Sequence, residues 1–276
     1  MTAALDGLEP TLRERVRHCQ DTLRRHGRVA VAFSGGVDST LLLALAAVTL
    51  GRENVLAVTN VSAIHPRADV LEGRKMAALL GVELLEVQGR EMQDHQFTSN
   101  PPQRCYYCKK EIFGSLARLA KDRGLAAVLS GANSDDAGDF RPGSRAEVEL
   151  GVVRPLLEAG MTKVQIRAVS RALDLATADR PSMACLASRI PYGLPITSEK
   201  LARVEAAESL LRELGLHQYR VRDHDTVARI EIVPEDFEKI VAGREMIVQK
   251  LRELGYTYIT LDLQGFRSGS LNETLL

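Results

Sequence analysis

The segment 34–40 of this sequence reads Ser-Gly-Gly-Val-Asp-Ser-Thr, a pattern that can bind phosphate groups. Its glycines, Gly35 and Gly36, have no Cβ atom, so the backbone can approach an oxyanion closely. Three hydroxyl groups in the segment add hydrogen-bond donors. If a helix begins near Ser39, its unpaired N–H groups and the positive end of its dipole face the same place. The segment therefore predicts a phosphate-binding loop.

Asp38 lies inside this loop, where its carboxylate would repel a bound phosphate. A divalent cation between the two removes the repulsion, so Asp38 predicts a Mg²⁺ ion that bridges the carboxylate and the phosphates. The loop has no Lys after its last glycine, which distinguishes it from the Walker-type loop. The structural alternative is a tight turn with a serine cap.

A second group of chemically active residues consists of cysteines. Cys105 and Cys108 are close enough in sequence for both thiols to reach one metal ion. Neighbouring cations at Arg104, Lys109 and Lys110 would lower the pKa of these thiols. The alternatives are a structural zinc clip, completed by another cysteine or a histidine, and an inert reduced pair.

Cys185 is the best candidate for a third sulfur ligand, because it lies in a stretch rich in Pro, Ser and Gly. Three sulfur ligands leave one coordination position open, as a reactive centre requires. The alternative for Cys185 is a small buried side chain. Cys19 falls in a helical pattern and is expected in the core.

Strands and helices alternate along the first two thirds of the chain. The hydrophobic pattern predicts strands at 28–33, 55–59, 83–87 and 126–130, and helices at 12–23, 39–50, 67–80, 109–123 and 162–173. This alternation predicts an α/β fold with a doubly wound parallel sheet. Ligands of such sheets bind at the carboxyl ends of the strands, here in the loops 34–38, 60–65 and 131–139.

The rest of the chain predicts a smaller α+β domain. Its elements are a helix at 198–214, a hairpin of 219–222 with 228–233, a helix at 235–254 and a strand at 256–261. We expect domains at 1–180 and 181–276, with 181–195 as the junction loop.

Composition narrows the class of partner. Lys plus Arg and Asp plus Glu both number 36, so the net charge of zero offers little attraction to nucleic acid. The chain has no Trp and few aromatic residues, which disfavours base-stacking platforms. No apolar run is long enough for a membrane span, and the first ten residues do not resemble a secretion signal. We therefore expect a cytoplasmic protein with a small-molecule substrate.

The strand, the SGGVDS segment and the helix together resemble the PP-loop ATP pyrophosphatases, which split ATP into AMP and pyrophosphate to activate an oxygen of the substrate. Further segments look like the LarE family and extend the resemblance over nearly the whole chain. They are NPPQRCYYCK at 100–109, SGANSDD at 130–136, RPL at 154–156 and CLASRIPYG at 185–193. The resemblance implies an ATP site formed by Phe33, Ser34, Gly35, Gly36, Asp38, Ser39, Thr40 and Gly131.

Membership of the LarE family would imply a sulfurtransferase that acts on pyridinium-3,5-biscarboxylic acid mononucleotide. ATP would adenylate a substrate carboxylate, and a sulfur nucleophile would displace AMP to leave a thiocarboxylate. Members of the family with one cysteine sacrifice its sulfur and keep dehydroalanine, whereas members with three hold a 4Fe-4S cluster. Cys105, Cys108 and Cys185 match the second pattern. The implied cofactors are ATP, Mg²⁺ and that cluster, and the implied assembly is a homo-oligomer; the sulfide donor is unknown.

The substrate named by this resemblance carries a phosphate and two carboxylates, which Arg side chains bind well. Arg189 and Ser188 lie close to Cys185 in sequence, and Arg220 and Arg222 share one face of a predicted strand. We expect these four to bind the substrate. The alternative for the strand arginines is a solvated hairpin face.

Other polar residues give weaker signals. Asp135 and Asp136 follow a strand end, where they could bind metal, position the adenylated intermediate or form a simple acidic loop. Glu205 and Glu231 could supply further metal ligands, but glutamates on helices and strands are usually solvated, and we expect that here. His65 is expected to be structural.

Three other functions remain open. A tRNA thiolase with an iron-sulfur cluster would bind tRNA with steep salt dependence. An ammonia-dependent amide synthetase would need no cysteines. A non-catalytic nucleotide-binding module would release no pyrophosphate with any substrate.

Overall fold

The computed structural model describes residues 5, 7–138, 142–181, 184–267 and 269–275. The chain forms two compact units. The first unit comprises Met1–Ser62, Arg67–Glu91 and Cys105–Met183, and the second comprises Ala63–Pro66, Met92–Arg104 and Ala184–Leu276. The division at residue 180 stays our proposal for the domain boundary; the short segments 63–66 and 92–104 join the second unit.

The first unit contains a four-stranded parallel sheet. Its strands are β1 (Val29–Ala32), β2 (Val55–Val61), β3 (Glu83–Gln88) and β4 (Ala127–Leu129), in the spatial order β3-β2-β1-β4. The first three residues of β1 are fully buried, which explains why this strand is a continuous apolar run rather than an alternating one. The predicted doubly wound α/β fold is confirmed.

Helices surround this sheet. They are α1 (Pro10–His26), α2 (Val37–Leu50), α3 (Arg67–Leu80), α5 (Arg104–Asp122), α6 (Pro142–Glu149), α7 (Pro155–Glu158) and α8 (Lys163–Ala172). The central helix α2 is apolar on all sides, and its residues 41–46 are completely buried. A helix buried on every side keeps its first turn in a fixed place, and that turn follows the glycine-rich loop.

Helix α5 begins earlier than the sequence predicted. The prediction started it at residue 109, whereas the helix runs from Arg104 and so includes Cys105 and Cys108. The two prolines at 101 and 102 provide a stop signal just before it, and a cysteine pair within a helix has no periodic signature of its own. Both thiols therefore lie on the first turns of a helix, three residues apart and on one face.

The second unit is α+β, as predicted. It contains α4 (His95–Thr98), α9 (Ser198–Glu213), α10 (Phe237–Ala242), α11 (Arg244–Glu253), β5 (Tyr219–His224), β6 (Val227–Ile232) and β7 (Tyr258–Leu261). β5 and β6 form the predicted hairpin, and β7 pairs with β6 in parallel. The single helix predicted at 235–254 was wrong, because the chain breaks at Gly243 into α10 and α11.

No helix within the described part of the chain is both long enough and apolar enough to cross a membrane.

Candidate functional site

The glycine-rich loop connects β1 to α2 and has the backbone shape that its glycines permit. Gly35 has a φ of +72°, in the left-handed region that favours glycine. A Cβ atom at Gly35 would lie only 3.0 Å from the Cα atom of Gly73 on α3. Glycine at position 35 therefore serves both the turn and the close approach of α3.

Hydroxyl groups inside the loop hold its shape. The Oγ atoms of Ser34 and Ser39 lie 3.1 Å apart, and Ser39 Oγ donates to the carbonyl oxygen of Gly36 at 3.2 Å. The first N–H groups of α2 have no carbonyl partner within the helix, and they point towards the loop. Thr40 Oγ1 is one of the buried side-chain atoms for which the described residues provide no hydrogen-bond partner. This arrangement suits an oxyanion.

Gly131 and Phe33 lie beside this loop. A Cβ atom at Gly131 would be 2.9 Å from the backbone nitrogen of Ser39, so the end of β4 packs directly on the start of α2. The side chain of Phe33 is buried, and its carbonyl oxygen accepts a hydrogen bond from Thr59 Oγ1 at 2.7 Å. Any contact of Phe33 with a nucleotide would thus involve its backbone.

Asp38 forms an ion pair with Lys163. The side-chain amide of Asn133 also donates to Asp38, at 3.4 Å. Lys163 is the first residue of α8, which begins with a capping box formed by Thr162 and Gln165. Lys163 could not be predicted from the sequence, because a Lys after a helix cap is common and gives no signal of a distant carboxylate.

Asp135 and Asp136 shape the loop that follows β4. Asp135 Oδ2 accepts from the backbone N–H of Lys163 at 2.8 Å, and Asp136 Oδ2 accepts from the backbone N–H of Asn133 at 3.0 Å. Asp135 therefore fixes the backbone of the residue that pairs with Asp38. A metal-binding role for the two aspartates stays a prediction.

The cysteine-bearing turns of α5 lie against α6. Tyr106 donates from its hydroxyl to Glu149 Oε2 at 2.7 Å. Lys109 pairs with the buried Glu147, and the ammonium group of Lys110 lies 5.6 Å from the ring centroid of Tyr106. The charge of Lys109 is thus balanced by a buried carboxylate.

None of the four cysteines forms a disulfide. Cys105, Cys108 and Cys185 are all partly exposed, the first two in the first unit and Cys185 in the second. No three His, Cys, Asp or Glu side chains of the described chain stand together as a metal site. Cys19 is fully buried as predicted, and burial raises the pKa of its thiol to about 12.

Arg189 holds the loop that contains Cys185. Its guanidinium group is completely buried and makes two bonds of 2.8 Å to the carboxylate of Glu208. It also donates to the carbonyl oxygens of Ala184 and Cys185, at 2.7 and 3.1 Å. Ser188 Oγ donates to the same Cys185 carbonyl at 2.8 Å. Glu208, which carries no functional signal in the sequence, neutralises this arginine.

Arg222 is also buried and paired. It bonds to both carboxylate oxygens of Glu231, at 3.0 and 2.8 Å, and donates to the Ser188 carbonyl at 2.7 Å. The expectation of a solvated Glu231 was wrong, because its side chain is completely buried between Arg222 and Arg229. Burial opposes ionisation there, but these arginines hold the pKa of Glu231 below its usual value.

Arg220 differs from the other two arginines in its electrostatic surroundings. It is buried like Arg222, donates to the carbonyl oxygen of Tyr219 at 2.7 Å and lies over the ring of Phe266. Burial and the positive charges of Arg189 and Arg222 outweigh the Glu208 carboxylate and lower the pKa of Arg220 to about 10. The alternative of a solvated hairpin face is excluded for both strand arginines.

A parallel sheet with an SGGVDS loop between its first strand and a buried helix defines a PP-loop enzyme of the ATP-using type. A family model described as NAD synthase, which belongs to the same superfamily, matches residues 8–103. The chain is 38% identical over 248 residues to the pyridinium-3,5-bisthiocarboxylic acid mononucleotide synthase of Lactiplantibacillus plantarum. The aligned residues cover 90% of each chain. The chain belongs to the LarE family.

Two other relatives differ in how much of the chain they match. An uncharacterised protein of Synechocystis is 42% identical over 250 residues, which is 90% of this chain and 93% of the relative. A tRNA-specific 2-thiouridylase of Caulobacter is 30% identical over 193 residues, but the match covers 56% of this chain and 47% of that protein. The likeness to the thiouridylase is therefore partial.

Proposed function

We propose that this enzyme uses ATP to convert the carboxylates of pyridinium-3,5-biscarboxylic acid mononucleotide to thiocarboxylates, a step in making a nickel-pincer nucleotide. The observation that carries the proposal is the 38% identity to the synthase over 90% of both chains. The nucleotide loop and the partly exposed cysteines supply the two chemistries, adenylation and sulfur delivery, that the conversion needs.

In the adenylation step, a substrate carboxylate oxygen attacks the α-phosphorus of ATP. The bond from that phosphorus to the bridging oxygen breaks, and pyrophosphate leaves. We propose that the loop 34–40 and the first N–H groups of α2 hold the phosphates, and that Asp38 is the Mg²⁺ ligand. Lys163, which lies beside Asp38, would stabilise the negative charge that develops on the departing pyrophosphate. A bound Mg²⁺ would supply further positive charge for the same purpose.

In the sulfur step, a sulfur nucleophile attacks the carboxyl carbon, and AMP leaves with the oxygen that joined the two. We propose that Cys105, Cys108 and Cys185 would hold a 4Fe-4S cluster, since such clusters are bound by cysteine thiolates and all three side chains are partly exposed. When bound, such a cluster would supply an exchangeable sulfide. The alternative is that Cys185 donates its own sulfur by elimination and becomes dehydroalanine.

For substrate binding, we propose the predicted set of Ser188, Arg189, Arg220 and Arg222 with unequal roles. Arg189 and Arg222 already pair with Glu208 and Glu231, so an anion would have to share them with those carboxylates. The positive charges of Arg189 and Arg222 act on Arg220 more strongly than the Glu208 carboxylate does, and a bound anion would offset them. Arg220 is our first choice for the substrate phosphate or a carboxylate.

The proposal is tested by iron and acid-labile sulfide analysis of protein purified without oxygen, together with product counting. We expect about four irons per chain, more than one thiocarboxylate per enzyme, and loss of both with Cys105→Ala or Cys108→Ala. Cys19→Ala is the matched control, because that thiol is buried in the core, and it should keep its iron. Little iron, with loss of hydrogen sulfide mass at Cys185 after one turnover, would establish the sacrificial route instead.

The tRNA thiolase is the second candidate, favoured by the partial match to a 2-thiouridylase. Pyrophosphate release that depends on tRNA, and not on the pyridinium mononucleotide, would replace our proposal with this one. We also propose a cytoplasmic location and a homo-oligomeric state.

A further inference from the structure

Glu147 is a buried carboxylate that joins two parts of the first unit. It lies on α6 and is 1% exposed. Its Oε1 atom pairs with the ammonium group of Lys109, and its Oε2 atom accepts from Ser130 Oγ at 3.3 Å. One carboxylate thus contacts the cysteine-bearing helix α5 through one oxygen and the end of strand β4 through the other.

On the α5 side, α6 packs tightly on the cysteine-bearing turns. Lys109 directly follows Cys108. A Cβ atom at Gly143 would lie 2.6 Å from Cδ of Lys109 and 3.3 Å from the carbonyl oxygen of Cys105. The guanidinium carbon of Arg145 lies 3.8 Å from the ring centroid of Tyr106, which stands between the cysteines. A shift of α6 therefore displaces the turns that present the thiols.

On the β4 side, Ser130 precedes the residue that packs on the phosphate-binding helix. The backbone N–H of Ser130 donates to the carbonyl oxygen of Val153 at 3.0 Å, which anchors it in the sheet. The next residue, Gly131, has no room for a Cβ atom against the backbone nitrogen of Ser39. A movement of Ser130 therefore moves the surface on which the start of α2 rests.

The negative charge of Glu147 makes its contacts with Lys109 and Ser130 costly to break. A buried carboxylate is costly unless it is paired, and loss of one partner leaves an uncompensated charge in the interior. Only an arrangement that keeps both Lys109 and Ser130 in reach satisfies its two oxygens. Neutral side chains at this position would tolerate relative movement of α5 and β4.

We propose that Glu147 is a positioning residue that couples the cysteine-bearing turns of α5 to the ATP-binding end of the sheet. Given the proposed sulfur transfer, this coupling would keep the cysteines in register with the site where the substrate is activated. Glu147 contacts neither the phosphate loop nor a thiol in any bond described above, and it acts through Lys109 and Ser130.

The test compares two readouts in iron-free, reduced full-length protein: the Kd for ATP in equilibrium binding, and the rate at which iodoacetamide modifies Cys105 and Cys108, followed by peptide mass spectrometry. Glu147→Gln keeps the shape of the side chain and removes its charge. In this variant the Kd for ATP and the modification rate of the two thiols should each change by about fivefold or more. Glu149→Gln, which weakens the Tyr106 bond and removes the ion pair with Arg145, should change the thiol rate alone. Ser130→Ala should change the ATP Kd alone.

A change in only one readout, or in neither, with Glu147→Gln would overturn the proposal. A thermal melt shows whether Glu147→Gln folds. If it does not fold, the same two readouts on Lys109→Met test the proposal instead. In the double variant Glu147→Gln/Lys109→Met, the fold-change of each readout should be clearly less than the product of the two single fold-changes. The reason is that both substitutions remove the same ion pair. Neither readout requires sulfur transfer, so the proposed function can fail while this coupling stands.

Discussion

Lys163 and Asp38 form an ion pair although they lie 125 residues apart in the sequence. The pair connects the first residue of α8 to the phosphate-binding loop, and both side chains keep partial contact with solvent. An ammonium group at this point offsets the one negative charge within the loop. The loop is thereby prepared for a polyanion before any cation binds.

Lys163→Met should weaken ATP binding by about tenfold, which corresponds to roughly 1.4 kcal/mol. The reason is that Asp38 loses its partner and then, in the absence of Mg²⁺, repels the phosphates. Equilibrium binding of ATP in low salt measures the effect. Lys250→Met, which removes an exposed lysine paired with Glu253, is the control and should leave the Kd unchanged. An unchanged Kd for Lys163→Met would show that this lysine does not assist the loop.

Gly131→Ala should weaken ATP binding by about tenfold or more, since a shift of a few tenths of an ångström at an oxyanion site is costly. The added Cβ atom would meet the backbone nitrogen of Ser39 at 2.9 Å, so the start of α2 or the end of β4 must move. Gly114→Ala in α5 is the matched control, because its Cβ atom meets only the end of Arg118 at 3.8 Å. It should bind ATP normally and gain about 0.5–1 kcal/mol of stability.

Arg222→Ala should lower the free energy of unfolding by about 3–5 kcal/mol, as expected when one partner of a buried ion pair is removed. Glu231 would stay buried, with Arg229 and the hydroxyl of Ser270 as its remaining contacts. Urea unfolding measures the loss. The double variant Arg222→Met/Glu231→Leu should recover much of it, because neither partner of this pair is then left as an uncompensated buried charge. Equal losses in the single and double variants would contradict this explanation.

Arg220→Met should raise the Kd for pyridinium-3,5-biscarboxylic acid mononucleotide by about tenfold or more, the loss of a charge-assisted bond to an anion. Calorimetric titration measures the Kd, and ATP binding serves as the internal control because it should not change. Arg220→Lys keeps the charge and should lose less affinity. If Arg220→Met binds the mononucleotide as well as the wild type does, the substrate anion lies elsewhere.

Cys19 should make the protein less stable in alkaline solution. The folded-state pKa of about 12 lies above the ordinary value of 9.0, because burial and, to a lesser extent, Glu158 disfavour the thiolate. The stabilisation is therefore complete below pH 9 and is lost as the pH rises towards 12. The stability advantage of the wild type over Cys19→Ala should shrink by roughly 2 kcal/mol between pH 7 and pH 10.5. Urea unfolding at both pH values checks this, and a constant advantage would contradict it.

Local patterns were enough to predict the parallel sheet, the glycine-rich loop and the buried position of Cys19. Each of these depends on neighbours in the sequence: an apolar run, two glycines before a helix, or a periodic position on one helix face. The early start of α5 escaped prediction because polar and aromatic residues around Cys105 give no clear period. The break at Gly243 was missed because one glycine within a helical pattern is often tolerated.

The sequence alone determined the class of protein, since the SGGVDS segment between a buried strand and a helix defines the phosphate loop wherever it occurs. Only the tertiary structure decided which charges face each other. It paired Asp38 with Lys163, Arg189 with Glu208 and Lys109 with Glu147, and it buried Glu231, which was expected to be solvated. Strand and helix periods show which residues share a face, but the cost of burying a charge is met by partners that the fold brings from distant positions.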